Sequence, residues 1–165
     1  MSAADEGIQM RSVEPIDGET LQRASDKLLL LPNNWPTLKP EPVYAESTES
    51  LRKLLVKKGI GVETLTPVTP HTHLRQERAL DWVSPTLLVS SLLMTQNPAA
   101  VTIALNVISD YVTEILRGVK SDPRVRLTIV RSETTRRTAQ KISYEGPVSG
   151  LHELVKVLIR RPPED

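Results

Sequence analysis

The chain of 165 residues contains no cysteine and no phenylalanine, and its aromatic residues are limited to three tyrosines and two tryptophans. Without cysteine, the chain has no disulfide framework, no thiolate zinc site and no cysteine nucleophile. The scarcity of aromatic side chains argues against recognition of nucleic acid bases by stacking. The formal net charge is only +1, so the charge of the whole chain would not attract DNA or an acidic membrane.

The N-terminal sequence MSAADEGIQM is acidic and contains no long apolar run, so we expect no signal peptide. Together with the absence of cysteine, this predicts a cytoplasmic protein. Leucine, isoleucine and valine account for 47 residues, a proportion above the level typical of disordered chains. The length and the aliphatic content predict one packed α+β domain with an extension.

Charge is distributed unevenly along the chain. Residues 1–50 contain nine acidic and four basic residues, whereas residues 117–161 contain four acidic and eleven basic residues. A chain of this kind can associate head to tail, or place its acidic end on its own basic end. The alternative is that both sets of charges lie on solvated surfaces.

The first 40 residues predict an acidic arm that precedes the domain. Residues 1–13 have the composition of a disordered segment, and Asp17 is a suitable N-cap for an amphipathic helix that ends before Pro32. The eleven residues from Pro32 onward contain four prolines, which exclude a helix and favour an extended linker. Trp35 in this linker would pin the arm to its own domain or to a partner.

The domain predicted for residues 41–161 begins with a compact βαβ unit. Residues 43–46 are a candidate strand, and the helix that follows Ser47 has leucines at spacings of three and four before it ends at Gly59. Residues 60–66 alternate between apolar and polar side chains, which predicts a second strand. The two strands would be parallel and joined by a right-handed connection.

A stretch of 28 residues, from Trp82 to Ser109, contains no charged side chain. Its polar residues and its two prolines argue against a membrane span. Ser-Pro and Asn-Pro pairs within it are typical of an N-cap followed by proline, and they predict two helices, over residues 85–95 and 98–117. The second helix is apolar almost all round, so we expect it to be buried on several sides.

Two strands and a helix complete the predicted domain. Residues 124–129 and 141–145 alternate in polarity and are joined by a polar loop, which predicts a hairpin with a long connection. Apolar residues on one face predict a final helix that ends before Pro162. The order from residue 41 is β-α-β-α-α-β-β-α, which predicts a two-layer α+β fold with a mixed sheet and helices on one face.

The order of these elements and the residue composition of their segments resemble those of a known family. The segments are the helix ESLRKLLVKKG, the helical stretch ALDWVSPTLLVSSLLM with VTIALNVISDYVTEIL, the basic strand VRLTIVRSE, the strand KISYEGP and the helix LHELVKVL. They are similar to the effector-associated constant component domains of bacterial conflict and signalling systems. The resemblance covers about residues 40–160, and it implies a small non-catalytic adaptor encoded beside an effector enzyme such as a peptidase. The tryptophan that the family carries near the end of its central helix is replaced here by Ile115 and Leu116.

The basic hairpin is the main candidate binding site. Its cationic residues lie on two strands and on the loop between them, and neighbours on one face of adjacent strands are about 5 Å apart. Converging cations repel one another unless an anion binds among them. We expect that anion to be an acidic protein surface first and a nucleic acid second. The candidate residues are Arg124, Arg126, Arg131, Arg136, Arg137 and Lys141.

His71-Thr72-His73 is the local motif most like a metal site, because side chains at positions i and i+2 of a strand share a face. Glu77 or Asp81 would be the third ligand. The alternative, which we favour, is that both histidines lie in an exposed polar loop, since a lone H-x-H is a weak motif. No nucleophile elbow, P-loop or dinucleotide-binding motif is present. We therefore predict no enzyme activity, no metal and no cofactor.

These features together predict an interaction module. The helices over residues 85–117, with Ile103 and Val107, and the hairpin over residues 124–145 would hold a partner protein such as an effector enzyme, or a second copy of the chain. Trp35 is a further candidate contact. The alternative function is nucleic-acid binding through the hairpin.

The N-terminal arm is predicted to dock on its own domain or on a neighbouring copy. Its acidic excess would steer it toward the basic hairpin, and Leu21, Leu28 and Trp35 would provide the apolar contacts that hold it. Exposed ion pairs contribute only about 0–1 kcal/mol each, so the apolar contacts would dominate.

Overall fold

The computed structural model describes residues 7–13, 16–39, 41–68, 82–116, 123–132 and 139–159. Within these ranges the chain forms one mixed sheet of seven strands with helices packed on it, so the predicted α+β fold is confirmed. The strands are β1 (Ile8–Val13), β2 (Leu28–Leu31), β3 (Val62–Thr64), β4 (Trp82–Val83), β5 (Thr86–Val89), β6 (Arg124–Ser132) and β7 (Ala139–Pro147). The helices are α1 (Gly18–Arg23), α2 (Thr48–Lys57), α3 (Ser91–Gln96), α4 (Pro98–Ile115) and α5 (Leu151–Ile159), with a 3₁₀ turn at Val148–Gly150 before α5.

The strands lie in the order β1-β7-β6-β5-β2-β3, and β4 pairs with β6 alongside β5. The β1–β7, β6–β7 and β2–β5 pairs are antiparallel, whereas β5–β6, β4–β6 and β2–β3 are parallel. The predicted β6–β7 hairpin is therefore confirmed, and both of its strands are longer than the periodicity suggested. Strands β1 and β3 form the two edges of the sheet.

The N-terminal segment is part of the sheet, which corrects the prediction of a separate arm. Strand β1 lies within the segment predicted to be disordered, and it pairs with β7 along its whole length. The predicted helix from Asp17 ends after only six residues, and β2 follows within the same predicted helix. All four leucines of β2 are buried, because β2 lies between β3 and β5 with apolar residues on both faces. A boundary near residue 40 therefore does not separate an arm from the sheet.

The predicted βαβ unit exists with a different first strand. Helix α2 and strand β3 lie where the leucine spacing and the alternation predicted them. Residues 43–46 form no strand, and the parallel partner of β3 is β2. Tyr44 from this segment is fully buried, and its hydroxyl bonds to the backbone N–H and C=O of Thr66. This contact ties the connection before α2 to the end of β3.

The uncharged stretch contains a strand where a helix was predicted. Residues 86–89 form β5, which is buried on both faces between β2 and β6. Helix α3 begins only at Ser91, and its true N-cap is Ser90, whose Oγ accepts from the Leu93 N–H at 3.0 Å and donates to the Ala24 carbonyl at 2.7 Å. The Ser84-Pro85 pair was therefore misinterpreted. A short apolar run that is covered on both sides has no periodicity to distinguish strand from helix.

Helix α4 begins at Pro98, as predicted, and is the central helix of the layer that covers one face of the sheet. It contacts α2, α3 and α5. Its buried side chains join those of β2, β5, β6 and β7 in the main aliphatic core. One side of the helix is exposed and carries Ile103, Asn106 and Asp110, so α4 is not buried all round. No helix among the described residues has both the length and the apolar character needed to cross a bilayer.

Candidate anion-binding face of the sheet

The face of the sheet opposite α2–α5 has an apolar end and a polar end. The apolar end forms a second, smaller core, which is covered by α1 and by the proline-rich segment that follows β2. Trp35 and Leu21 pack on this second core as partly buried side chains. The buried residues of the second core are Ile16, Ala24, Leu29, Leu31, Leu88, Val130 and Ala139.

The polar end is built by the alternation of three neighbouring strands. On β6, Val125, Leu127 and Ile129 face the main core, so Arg124 and Arg126 point to the opposite face. The same alternation on β7 and β1 directs polar side chains to that face, next to the two arginines. The side chains on this face are Gln9, Arg11, Arg124, Arg126, Thr128, Lys141, Ser143 and Glu145.

Strand register brings the charged groups together. Arg11 lies directly opposite Lys141 in the β1–β7 pair, and Arg126 lies directly opposite Glu145 in the β6–β7 pair. Directly opposite residues have Cα atoms about 4.5–5.5 Å apart. The Arg126 guanidinium forms an ion pair with Glu145 at 3.2 Å. We call Arg11, Arg124, Arg126 and Lys141 the basic face.

The basic face lines a depression of about 910 Å³. Among the described residues that line it, Arg11, Arg124, Arg126 and Lys141 face a single carboxylate, that of Glu145. The other described lining residues are uncharged; they include Met10 on the edge strand β1, and Asn33 and Thr86 at the end of the depression nearest β5. The described lining is therefore concave and largely polar, and it contains more cationic than anionic side chains.

Among the cations of the basic face, Lys141 has a pKa that is shifted by its surroundings. Partial burial lowers the pKa of Lys141 below its ordinary value, and the nearby charges of Arg11 and Arg126 lower the pKa further. Each of these causes disfavours the ammonium form relative to the neutral amine. An anion bound among these residues would oppose both effects.

A second charged cluster provides a contrast. Glu63 on β3 is paired with Lys27 at 3.0 Å and with Arg23 at 3.4 Å. The hydrogen bond and the charge of Lys27, followed by those of Arg23, lower the pKa of Glu63. Arg23 also donates to the carbonyls of Thr64 and Leu65 at 2.9 and 2.8 Å. In this cluster two cations share one carboxylate, and the hydrogen bonds of Arg23 tie α1 to the end of β3, so we assign it a structural role.

The structure brings together three of the cationic residues predicted from the hairpin, namely Arg124, Arg126 and Lys141. Arg131 differs, because it belongs to β6 rather than to a loop and is only 6% exposed. Its side chain lies on the other face of the sheet by alternation and donates to Gln140 at 2.6 Å. Arg136 and Arg137 lie outside the described residues, as do His71 and His73.

The predicted partner contacts outside the hairpin, which are Ile103, Val107 and Trp35, differ in how far they are exposed. Ile103 is 44% exposed, whereas Val107 is 8% exposed and belongs to the main core. This leaves Ile103, but not Val107, at the surface. Trp35 contacts the protein's own second core, which is the first of the two alternatives considered for it.

Arg11 is the residue of the basic face that sequence reasoning missed. The surrounding segment was interpreted as disordered, although Ile8 and Met10 alternate with Gln9 and Arg11. That short alternation is the signal that could have identified β1. Its pairing with β7 depends on contacts more than 120 residues apart in sequence, which the local pattern does not contain.

Neither a protein-family model, nor a curated protein, nor a solved structure matches the chain significantly. The function is therefore inferred from the chemistry of the basic face. Cationic side chains on paired strands present donors in a fixed arrangement, and guanidinium groups bind carboxylates and phosphates through two parallel hydrogen bonds. The arrangement is suited to binding an extended anionic partner.

Proposed function

We propose that the protein is a non-catalytic interaction module that binds an acidic segment of a partner protein on its basic face. The observation that carries this proposal is that, among the described residues, four cationic side chains from β1, β6 and β7 line one depression with a single carboxylate. Within this cluster, partial burial and the nearby charges of Arg11 and Arg126 lower the pKa of Lys141, so its ammonium form is disfavoured when no anion is bound. A partner's carboxylates would compensate this charge.

The rigidity of the face supports binding rather than a merely solvated surface. Arg124, Arg126 and Lys141 lie on the two longest strands of the sheet, and both strands are hydrogen-bonded to neighbours on either side. Side chains on such strands lose less conformational freedom on binding than side chains on a loop. Their backbone positions are already fixed before the partner arrives.

An acidic protein segment fits the face better than a nucleic acid does. Glu145 lies within the depression, where it would repel a continuous phosphate backbone but can be accommodated between separated carboxylates. Among the described lining residues there is no aromatic side chain on which a base could stack. Nucleic acid is kept as the second candidate, because three of the four cations are arginines, which are well suited to phosphate.

The resemblance to the effector-associated constant component domains supports an adaptor role. On that basis the acidic segment would belong to an effector enzyme of a bacterial defence or signalling system. Self-association through the α3–α4 region, where Ile103 is exposed, is the other route by which the module would assemble. Both routes are compatible with a partner on the basic face, because α4 covers the opposite face of the sheet.

The test is a binding titration with fluorescein-labelled polyglutamate, a 20-base-pair DNA and a 20-nucleotide RNA, each over a range of salt concentrations. Lys141→Glu and Arg124→Glu are compared with Lys53→Glu, which makes the same change of charge at an exposed position of α2. We expect polyglutamate to bind at low salt, and both variants of the basic face to weaken binding about tenfold or more, while Lys53→Glu has little effect.

Two results would overturn this proposal. The first is absence of polyglutamate binding at low salt, or an equal loss of binding in the Lys53→Glu control. The second is tighter binding of DNA or RNA with a steep dependence on salt, which is the signature of phosphate contacts and displaced counterions. In that case the second candidate, a nucleic-acid-binding module, would replace the first.

A further inference from the structure

Strand β1 is an edge strand whose outer side pairs with no other described strand. It carries six residues, and four consecutive side chains from Gln9 to Ser12 are exposed. An edge strand presents a row of backbone N–H and C=O groups that can pair with another chain. This edge borders the basic face directly, because Arg11 belongs to both.

The direction of the free backbone groups follows from the register. Gly7 lies directly opposite Glu145, and its carbonyl accepts the Glu145 N–H at 3.0 Å. Hydrogen-bonded and non-hydrogen-bonded pairs alternate along antiparallel strands. Gln9 and Arg11 therefore bond inward to β7. The N–H and C=O groups of Ile8, Met10 and Ser12 point outward from the sheet.

The side chains of β1 differ between the two faces. Arg11 and Gln9 lie on the basic face, whereas Ile8 packs against the margin of the main core. Met10 follows Ile8 by alternation and is 48% exposed. A strand added beside β1 would therefore meet positive charge on one face and apolar surface on the other.

Resting on the proposed function, we propose that the acidic partner segment binds as an added strand on the outer edge of β1, and that acidic and apolar residues alternate in it. Its acidic side chains would lie next to Arg11, with Lys141 one strand further into the sheet, and its apolar side chains would lie next to Ile8 and Met10. The outward N–H and C=O groups of Ile8, Met10 and Ser12 would provide the main-chain hydrogen bonds.

Charge complementarity selects an acidic partner over a second copy of this chain. Antiparallel pairing of β1 with the β1 of another copy, about a twofold axis perpendicular to the sheet, would keep both basic faces on the same side. Arg11 and Lys141 of the two copies would then lie together without added negative charge. Charged side chains on edge strands discourage this kind of self-pairing.

The experiment uses the full chain and a fluorescein-labelled ten-residue peptide of alternating valine and glutamate. Two modified peptides carry N-methyl groups, either on the valines or on the glutamates. In an antiparallel added strand the valine N–H groups would donate to β1, and in a parallel one the glutamate N–H groups would do so. We expect one N-methylated peptide to lose about tenfold in affinity and the other to bind as the unmodified peptide does.

Amide hydrogen exchange provides the matching readout on the protein. Binding of the unmodified peptide should slow exchange at Ile8, Met10 and Ser12, whose N–H groups point outward. Exchange at Gln9 and Arg11 should change little, because their N–H groups are already bonded to β7. Met10→Pro removes one outward donor without removing a bond to β7, and it should weaken peptide binding.

The outcomes separate this proposal from the one on which it rests. If polyglutamate binds in a manner sensitive to Lys141→Glu, but both N-methylated peptides bind as the unmodified one does and no β1 amide is protected, strand addition is wrong and the proposed function stands. If neither probe binds at low salt, both proposals are wrong. A peptide-free dimer in light scattering, with Ile8, Met10 and Ser12 already protected, would assign the edge to a second copy and overturn strand addition.

Discussion

The two faces of the sheet are built from the same strands but are used differently. One face is covered by α2, α3, α4 and α5 and carries the main aliphatic core. Among the residues that the structure describes, the other face is covered at one end, by the six-residue helix α1 and the proline-rich segment. Where this cover stops, the outward side chains of β1, β6 and β7 change from apolar to charged.

The comparison shows how a small domain can divide stability and binding between opposite faces of one sheet. On β6, every second residue contributes to the main core while its neighbours Arg124 and Arg126 remain on the basic face. The covered face stabilises the strands, and the strands in turn hold the cations in position. Substitutions should therefore affect folding on the covered face and at the covered end of the other face, and they should affect binding on the basic face.

The largest expected effect is on the covered face. Ile108 on α4 is fully buried, so Ile108→Ala should lower the free energy of unfolding by about 2–5 kcal/mol, through lost burial and a residual cavity. Ile103→Ala on the same helix is the matched control, because its side chain is exposed; it should change stability by about 0.5 kcal/mol or less. Urea denaturation measures both, and equal losses would contradict the assignment of the exposed side of α4.

An intermediate effect is expected at the covered end of the opposite face. Trp35 is partly buried against the second core, so Trp35→Ala should lower the free energy of unfolding by about 1–3 kcal/mol. Trp35→Phe keeps a ring on the same surface and should lose less. If Trp35→Ala left stability unchanged but abolished binding of the partner, Trp35 would be a contact of the partner rather than of the second core.

The smallest expected effect is a pH-dependent change in the free energy of unfolding that comes from Lys141 on the basic face. The pKa of Lys141 is lowered in the folded state, so its charge opposes folding fully at pH values below that pKa. Stability should rise as the pH increases from the lowered pKa toward the ordinary value of 10.5. Lys141→Gln should abolish this rise and make the protein slightly more stable at pH 7.

Urea denaturation between pH 7 and 10.5 measures this difference, with Lys53→Gln as the control for an exposed lysine of α2. Binding of polyglutamate should weaken over the same range, since the Lys141 ammonium is lost. A stability difference between the wild type and Lys141→Gln that does not vary with pH would contradict the lowering of the Lys141 pKa by burial and by the charges of Arg11 and Arg126.

The sequence predictions were accurate for elements with one exposed side and inaccurate for strands buried on both faces. Helices α2 and α4, the first part of β6 and most of β7 have one side buried and one side more exposed, and their periodicity identified them. Strands β2 and β5 are buried on both faces, so their leucine-rich runs carry no alternation. Both were predicted to be helical, because the predicted N-caps Asp17 and Ser84 precede them in the sequence.

Local pattern was sufficient for the class of fold, for the amphipathic elements and for the basic character of the hairpin, because each of these depends on neighbours in sequence. Which residues form the basic face was decided by the tertiary structure. Pairing of β1 with β7 brought Arg11 to Lys141, and the extension of β6 to Ser132 made Arg131 a strand residue, which alternation places on the opposite face from Arg126. A shift of one residue in the β1–β7 pair would move Arg11 to the other face of the sheet, since strand side chains alternate between faces. Only the packing of the whole sheet determines that register.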